Sequence, residues 1–402
     1  MNIAANTAIR NCTSCQACAA VCPKDAISVI LNEDGFYRPV IDEEKCINCG
    51  MCKKVCYKFD DDIKLTTDAS LKEKKLYSAW VNDDNLLAQT TSGGIGDLLA
   101  RQLIAEGYKV VGVTYNNELV RAEHVIADNT EATTAFRGSK YIQSYSFDAL
   151  KQVIANCKGE RYAIFGTPCQ IYALNRYAEQ RKVRENLVLI DLYCHGCPSL
   201  LVWQKYQSSI KKQLGSNSLN YVNFRSKVKG WGAFYVTAKA ANKQLFNSKP
   251  GADGFYELFF SDIVLNESCH DCKLRSTLEY TDIRMGDFWG KKFLSNRKGV
   301  SAVSISSERG QELFNKIKTS IVYGECDYND FLPYQSWGKD YKPDMRAREE
   351  LLTSLKQSDA TIDDAVQIYR KRQPFNLKLK RHIKNILHYL PLGVTMFLKR
   401  FI

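Results

Sequence analysis

The sequence contains no run of about 18 apolar residues, so it lacks a stretch able to span a bilayer as a helix. Its first residues, MNIAANTAIRNC, hold neither a basic stretch nor an apolar core, so no secretory signal is read there. No Gly-x-Gly-x-x-Gly follows an apolar run, and no Gly-x4-Gly-Lys-Ser/Thr occurs, which leaves neither a dinucleotide fingerprint nor a P-loop. No DNA-reading motif is present, and a basic stretch alone gives only salt-sensitive, unspecific affinity, so no nucleic-acid partner is expected. After Asp364 acidic residues are missing altogether. These absences predict a cytoplasmic protein without a self-contained nicotinamide site.

What is present is ordinary in bulk. The 402 residues correspond to two or three domains at about 150 residues each. Hydrophobic residues at 45% and charged residues at 25% argue for a globular chain. The net charge of +12 is uneven, because nine Lys and Arg from Arg370 to Arg400 face no acid, leaving the body at about +3. Such a tail bears on where a protein sits more than on its chemistry.

Cysteine is the abundant functional residue, with fifteen in the chain. In a reducing compartment they do not read as a disulfide framework. Eight form two copies of one pattern, Cys12-x2-Cys15-x2-Cys18-x3-Cys22-Pro23 and Cys46-x2-Cys49-x2-Cys52-x3-Cys56. This is the bacterial ferredoxin run, in which three close thiolates hold one 4Fe–4S cluster and the fourth cysteine ligates the other. The assignment is Cys12, Cys15, Cys18 and Cys56 to one cluster, and Cys46, Cys49, Cys52 and Cys22 to the second. Zinc sites favour paired C-x2-C knuckles closing one tetrahedron, which this repeat fits poorly. Tyr57 stands where the first copy carries proline, a departure read as touching no ligand. Between the copies, AISVILNEDGFYRPVID predicts two strands around a turn at Asp34-Gly35.

Residues 60–75 are polar and charged and read as a linker. Beyond them, β-type runs at 108–115, 161–167, 187–193, 282–288 and 302–307 alternate with helical patterns. The helices are expected at Gly96–Ala105, Phe147–Asn156, Pro168–Gln180, Ser199–Gln213 and Glu308–Lys318. The alternation predicts a mixed α/β, α+β body with sheet edges able to hold a cofactor. Near the end, Ile383, Ile386, Leu387 and Leu390 share one helical face among lysines. Such a face lies on an anionic membrane surface or packs on the protein's own body.

Four more cysteines sit in ligand-like settings. Cys169 and Cys194 each end an apolar run, and Cys269-His270-Asp271-Cys272 is a C-x2-C pair. Strand ends gather at one sheet edge, so the four can converge on a third iron–sulfur site, with Cys197 as a substitute ligand; the other reading is buried apolar cysteine. Cys157 and Cys326 are assigned to that second class. His195, beside Cys194, is the candidate proton donor, although a hydrogen bonder that orients a ligand is the preferred reading.

Here a resemblance becomes specific. It is carried by Thr91-Ser92-Gly93-Gly94, by the run from Gly138-Ser139-Lys140-Tyr141 to Ser144, and by Gly166-Thr167-Pro168-Cys169-Gln170. It continues through Cys194-His195-Gly196, Phe224-Arg225-Ser226-Lys227 with Gly230-Trp231, Cys269 to Cys272, Asp282-Ile283 and Gly286-Asp287-Phe288-Trp289-Gly290. Over roughly residues 1–330 the chain resembles the family of coenzyme F-420 (deazaflavin) hydrogenase/dehydrogenase beta subunits, with a ferredoxin module in front. The resemblance implies a third 4Fe–4S cluster on Cys169, Cys194, Cys269 and Cys272, and one FAD. The flavin would lie against Ser92, Gly93, Gly94, Ser139, Lys140, Gly166, Thr167, Pro168 and Gln170. Glycines permit close backbone approach, a helix start favours a pyrophosphate, and Lys140 would neutralise a phosphate or the reduced flavin. The run at 286–290 would line the cofactor or shield a cluster, its plainer reading being a core turn.

The expected layout is a two-cluster ferredoxin module at 1–60, a linker at 61–75, a larger flavin-binding α/β catalytic domain at 76–335 and a helical basic tail at 336–402. Flavins join one-electron clusters to two-electron substrates. The implied function is an iron–sulfur flavoprotein oxidoreductase acting on a deazaflavin-like cofactor or an organic substrate. Similarity to proteins encoded beside polysaccharide genes makes a sugar or lipid-linked intermediate one candidate, and the basic tail would suit the inner membrane face. The alternative is a non-catalytic electron-transfer subunit of a larger redox complex. Partners would be a redox donor or acceptor: a ferredoxin, reduced deazaflavin or a partner subunit.

Overall fold

The structure, a computed structural model, describes residues 2, 3, 11–249, 253–374 and 378. Strands β1 (Ile27–Leu31) and β2 (Tyr37–Ile41) pair antiparallel with Ile27 opposite Ile41, forming the expected hairpin. Its turn is also a docking point. Gly35 takes φ +75°, and a Cβ there would lie 2.6 Å from Ser199 Oγ and 2.9 Å from Leu201 N, so only glycine lets the hairpin reach the body so closely.

Nine strands form the central sheet. In chain order they are β3 (Lys75–Val81), β4 (Lys109–Asn116), β5 (Arg121–Ala127), β6 (Ser144–Tyr145), β7 (Tyr162–Phe165) and β8 (Leu187–Leu192). After a small antiparallel sheet of β9 (Leu219–Ser226), β10 (Tyr235–Ala240) and β11 (Leu245–Asn247), the chain adds β12 (Ile283–Asp287), β13 (Ser301–Ile305) and β14 (Ile321–Cys326). The spatial order is β14-β3-β13-β12-β8-β7-β4-β5-β6. Its centre, β12-β8-β7-β4, is parallel, so the carboxyl ends of these strands gather at one edge.

The central strands are largely apolar because helices cover both faces. Helices Ile95–Ala105 and Glu308–Ile317 close one core with Val110, Val188, Ile190 and Val303. Helices Phe147–Asn156 and Pro168–Arg181 close the other with Val111, Ile164 and Leu189. Pro168 suits the first turn of its helix, where Thr167 and Gln170 form a capping box. The ferredoxin module joins this second core: Ala17, Ala20, Val21 and Val55 pack with Ala149, Leu150 and Val153. Gln16 fixes the orientation, since its Oε1 accepts from the N–H groups of Ser146 and Phe147 at 2.8 and 3.0 Å, capping a helix of the body.

The segment expected as a linker carries the helix Asp68–Glu73, begun by a Thr67 cap. It is fastened to the body by Thr66 and Ser70 hydroxyls donating to Glu279. Helices Met345–Lys356 and Ile362–Arg372 bury Leu351, Leu355, Ala365 and Val366 against the helix Leu200–Gln213 layer, so the described part of the basic end belongs to the body. The face of Ile383, Ile386, Leu387 and Leu390 lies outside the described residues. Among the described residues no helix is long and apolar enough to cross a membrane.

Candidate functional site

The two ferredoxin-like repeats fold as near copies. Ser14 and Gln16 take φ +64°, and their counterparts 34 residues on, Asn48 and Gly50, take +53° and +75°. These left-handed turns curl each x2 loop around a void. Each loop then enters a short helix, Ala17–Ala20 or Met51–Lys54. The helix leaves its third cysteine facing its own void and carries the fourth to the other. Cys12, Cys15, Cys18 and Cys56 accordingly line one cavity, and Cys22, Cys46, Cys49 and Cys52 line another. Each cavity therefore has the four thiols a 4Fe–4S cluster needs. Burial pushes the Cys12, Cys15 and Cys18 thiols up, and Cys56 to about 12, so these sulfurs ionise only against a compensating cation. Cys49 alone among the eight is exposed.

The carboxyl edge of the sheet assembles the third group. Cys169 enters its helix four residues after β7, Cys194 and Cys197 follow β8, and Cys269 and Cys272 flank a turn packed beside them. The Thr167 hydroxyl lies 3.2 Å from Cys169 Sγ, and the Cys197 N–H donates to Cys269 Sγ at 3.5 Å. The Cys197 thiol also donates to Cys269, pulling the Cys269 thiol below its ordinary value. Burial pushes Cys169 well up and Cys194 to about 12, the latter helped by Cys269 and Cys272. Tyr57, the residue after Cys56, packs in a cluster with Cys169 and Cys272, so the first and third groups adjoin. Five cysteines therefore meet where four were expected, and Cys197 sits as a donor to Cys269. Cys157 is buried in the apolar core, and Cys326 lies on β14 beside Ser78 and Lys292, both apart from this site. Among the described residues no three His, Cys, Asp or Glu groups converge on a single ion.

The loops expected to hold a flavin lie along the same edge. The Ser139 N–H donates to Thr91 Oγ1 at 2.7 Å, joining the two motifs. Gly94, at φ +82°, opens the helix Ile95–Ala105, and a Cβ on Gly96 would touch Met285 and Phe165 at the strand ends. Ser92 is occupied, its hydroxyl donating to Val300 O, and Gly93 N donates to Ser301 Oγ. Thr167 and Gln170 satisfy each other, and Gly166 donates to Ile190 O. Lys140 departs from expectation. Its ammonium turns inward to the carbonyls of Ala135, Phe136 and Arg137 at 3.0–3.2 Å, and burial pulls it down to about 7.

Residues 159–330 match the family model for the C terminus of the coenzyme F420 hydrogenase/dehydrogenase beta subunit, and residues 11–58 match that of a 4Fe-4S dicluster domain. The chain thus carries the C-terminal domain of the coenzyme F-420 hydrogenase/dehydrogenase beta subunit family behind a 4Fe-4S dicluster domain. The F subunit of the F(420)H(2) dehydrogenase of Methanosarcina mazei is 26% identical over 325 residues, 77% of this chain and 83% of that protein. A chain in the xenon-derivatised F420-reducing NiFe hydrogenase complex from Methanosarcina barkeri aligns at 18% identity with a TM-score of 0.45, covering 79% of this chain and 96% of that one. The protein is thus an iron–sulfur redox protein of oxidoreductase type.

Within the matched region, the run at 286–290 packs as the core turn that was its plainer reading. Phe288 is fully buried in a core cluster, while Trp289 stacks on Trp231 with centroids 4.6 Å apart. Asp287 accepts from Arg225 Nη1 at 3.0 Å and Trp231 Nε1 at 2.7 Å. Arg225 also lies over Phe234 at 3.7 Å, a buried cation–π contact. His195 is hydrogen-bonded through Nδ1, which lies 3.0 and 3.1 Å from the Tyr341 and Ser336 hydroxyls, while Nε2 lies 2.8 Å from Asp262 without hydrogen-bond geometry.

Sequence reasoning missed Tyr57. It does not stand clear of the ligands; it packs with Cys169 and Cys272, next to Tyr172 and Leu274. Its position one residue past Cys56 was the available signal. Arg284 and Asp191, which brace the edge beneath Cys194, were missed because isolated charges inside apolar runs announce no partner.

Proposed function

We propose that the chain is an electron-transfer subunit of a larger redox assembly, holding three 4Fe–4S clusters in a row. The single observation that carries this reading is the adjacency of the cysteine groups. The exposed Cys49 belongs to one set, the set of Cys12, Cys15, Cys18 and Cys56 shares the ferredoxin module with it, and Tyr57, directly after Cys56, packs in a cluster with Cys169 and Cys272 of the third set. Such clusters, when bound, take up and release single electrons. The protein's part is to fix the thiolates, exclude water and set their electrostatics. A relative that is itself one part of a dehydrogenase favours the relay over a free-standing enzyme.

A flavin at the inner end is the second part of the reading, supported by the Thr91–Ser139 hydrogen bond and the glycine-led helix start at one sheet edge. Gly93, Gly94, Ser139 and the 166–168 turn would hold an FAD by backbone contact, with Lys140 stiffening the loop. With FAD the chain would exchange a hydride with a deazaflavin-like cofactor or an organic substrate.

Iron, sulfide and flavin content of the full chain purified without oxygen tests both parts. About twelve irons per chain supports the three-station row, and about eight overturns the third station. One FAD per chain supports a hydride-exchanging end, whereas twelve irons without flavin leaves the relay alone.

A further inference from the structure

Tyr57 is buried, at 6% exposure, and its hydroxyl has no hydrogen-bond partner. Leaving a hydroxyl dry and unpaired costs about 1–3 kcal/mol, so such a group in an otherwise well-satisfied region calls for an acceptor. The ring is fixed from several sides. It meets Tyr172 edge-on at 6.1 Å, and Lys58, itself 3.6 Å from Asp271, lies 5.0 Å over its face. Two sulfurs, Cys169 and Cys272, pack against the cluster that the ring forms with Tyr172 and Leu274, and Cys272 is the one its hydroxyl faces.

We propose that the Tyr57 hydroxyl donates a hydrogen bond to the Cys272 sulfur and so raises the reduction potential of the cluster held by Cys169, Cys194, Cys269 and Cys272. The proposal rests on the third-station reading above. Reduction adds one electron and no proton to a cluster, which makes its thiolates more negative. A donor to one of them therefore stabilises the reduced form more than the oxidised form. Because Tyr57 follows Cys56 directly, one residue couples the backbone of a first-set ligand to a third-set sulfur. Docking of the ferredoxin module thereby sets the potential of the next station as well as its distance.

The test is a redox titration followed by electron paramagnetic resonance on the reconstituted full chain, as wild type, Tyr57→Phe, Cys272→Ser and Cys12→Ser. The serine variants identify the third-set and first-set signals by their loss. Tyr57→Phe should keep about twelve irons while the third-set midpoint falls. The expected size is about tenfold in the reduced-to-oxidised ratio, or about 59 mV for one electron. A 3,5-difluorotyrosine at position 57, a stronger donor of nearly the same shape, should move the midpoint upward and decides the matter if Tyr57→Phe loses iron. An unmoved midpoint, or a shift confined to the first-set signal, overturns the role of Tyr57 alone. About eight irons in the wild type overturns the third station and this proposal together.

Discussion

Arg284 and Asp191 form a buried two-pronged pair: Nε lies 2.7 Å from Oδ1 and Nη2 lies 2.5 Å from Oδ2, with neither side chain more than 3% exposed. They stand opposite each other on neighbouring parallel strands β12 and β8. The guanidinium also donates to the carbonyls of Leu274 and Arg275 at 3.3 Å. One buried cation thus ties the turn after Cys272 to the strand that leads to Cys194.

Arg284→Met should therefore be severe. Asp191 would remain buried without its counter-charge, at a cost of about 3–5 kcal/mol. Replacing both, as Asp191→Leu with Arg284→Met, should recover much of that stability, because a matched apolar pair leaves no stranded charge. Iron retention should fall in both variants, since the carbonyls of Leu274 and Arg275 lose a donor in each. Thermal melts and iron content under anaerobic conditions separate the two effects. A double variant as unstable as the single would show that the ion pair itself supplies the stability.

Gly93 separates a packing role from a cofactor role. A Cβ there would sit 2.2 Å from Ala79 O and 2.7 Å from Ser301 N, both backbone atoms of β3 and β13 that cannot swing aside. Gly93→Ala should destabilise the chain by about 1–3 kcal/mol, toward the upper end. Gly232→Ala, with nothing within 4 Å, should stay within about 0.5 kcal/mol. The melting temperatures of the two variants check this contrast, and equal values would discard the packing account.

The elements that were legible in the sequence are those whose burial is simple. β7 and β8 are covered on both faces, so they appear as continuous apolar runs, and Phe147–Asn156 has a regular apolar stripe. β5 was not legible, because Arg121 and Glu123 pair with each other on its surface and interrupt the pattern. β3 was obscured by the charged run before it. The cysteine sets of the repeats were legible because spacing alone fixes them. Lys140 was legible as part of a motif, but no motif states which way a side chain turns. The contact of Tyr57 with Cys272 depends on how the module docks, and that follows from Gln16 capping a helix 130 residues away.

The crossing of the fourth ligands predicts paired phenotypes. Cys56→Ser should disturb the same paramagnetic signal as Cys12→Ser, although 44 residues separate them, because both face one cavity. Cys22→Ser should likewise match Cys46→Ser. Each variant should lose up to about four irons. If Cys56→Ser instead resembles Cys46→Ser, the fourth ligands do not cross.

His124 carries the clearest pH signature. It lies on β5 opposite Val113, is 6% exposed, and burial pulls its pKa from 6.5 to about 4. Between these values the unfolded chain binds a proton that the folded chain refuses, so stability rises with pH across this window. The contribution is fully present above the unfolded value and is lost as pH falls toward 4, about 2 kcal/mol of it by pH 5. His124→Phe removes the titrating group and keeps an aromatic ring in the space. The melting temperature of the wild type should therefore fall more between pH 7 and pH 5 than that of His124→Phe, with the other histidines common to both. Parallel slopes would mean that His124 is protonated equally in the folded and unfolded chain, contrary to its burial.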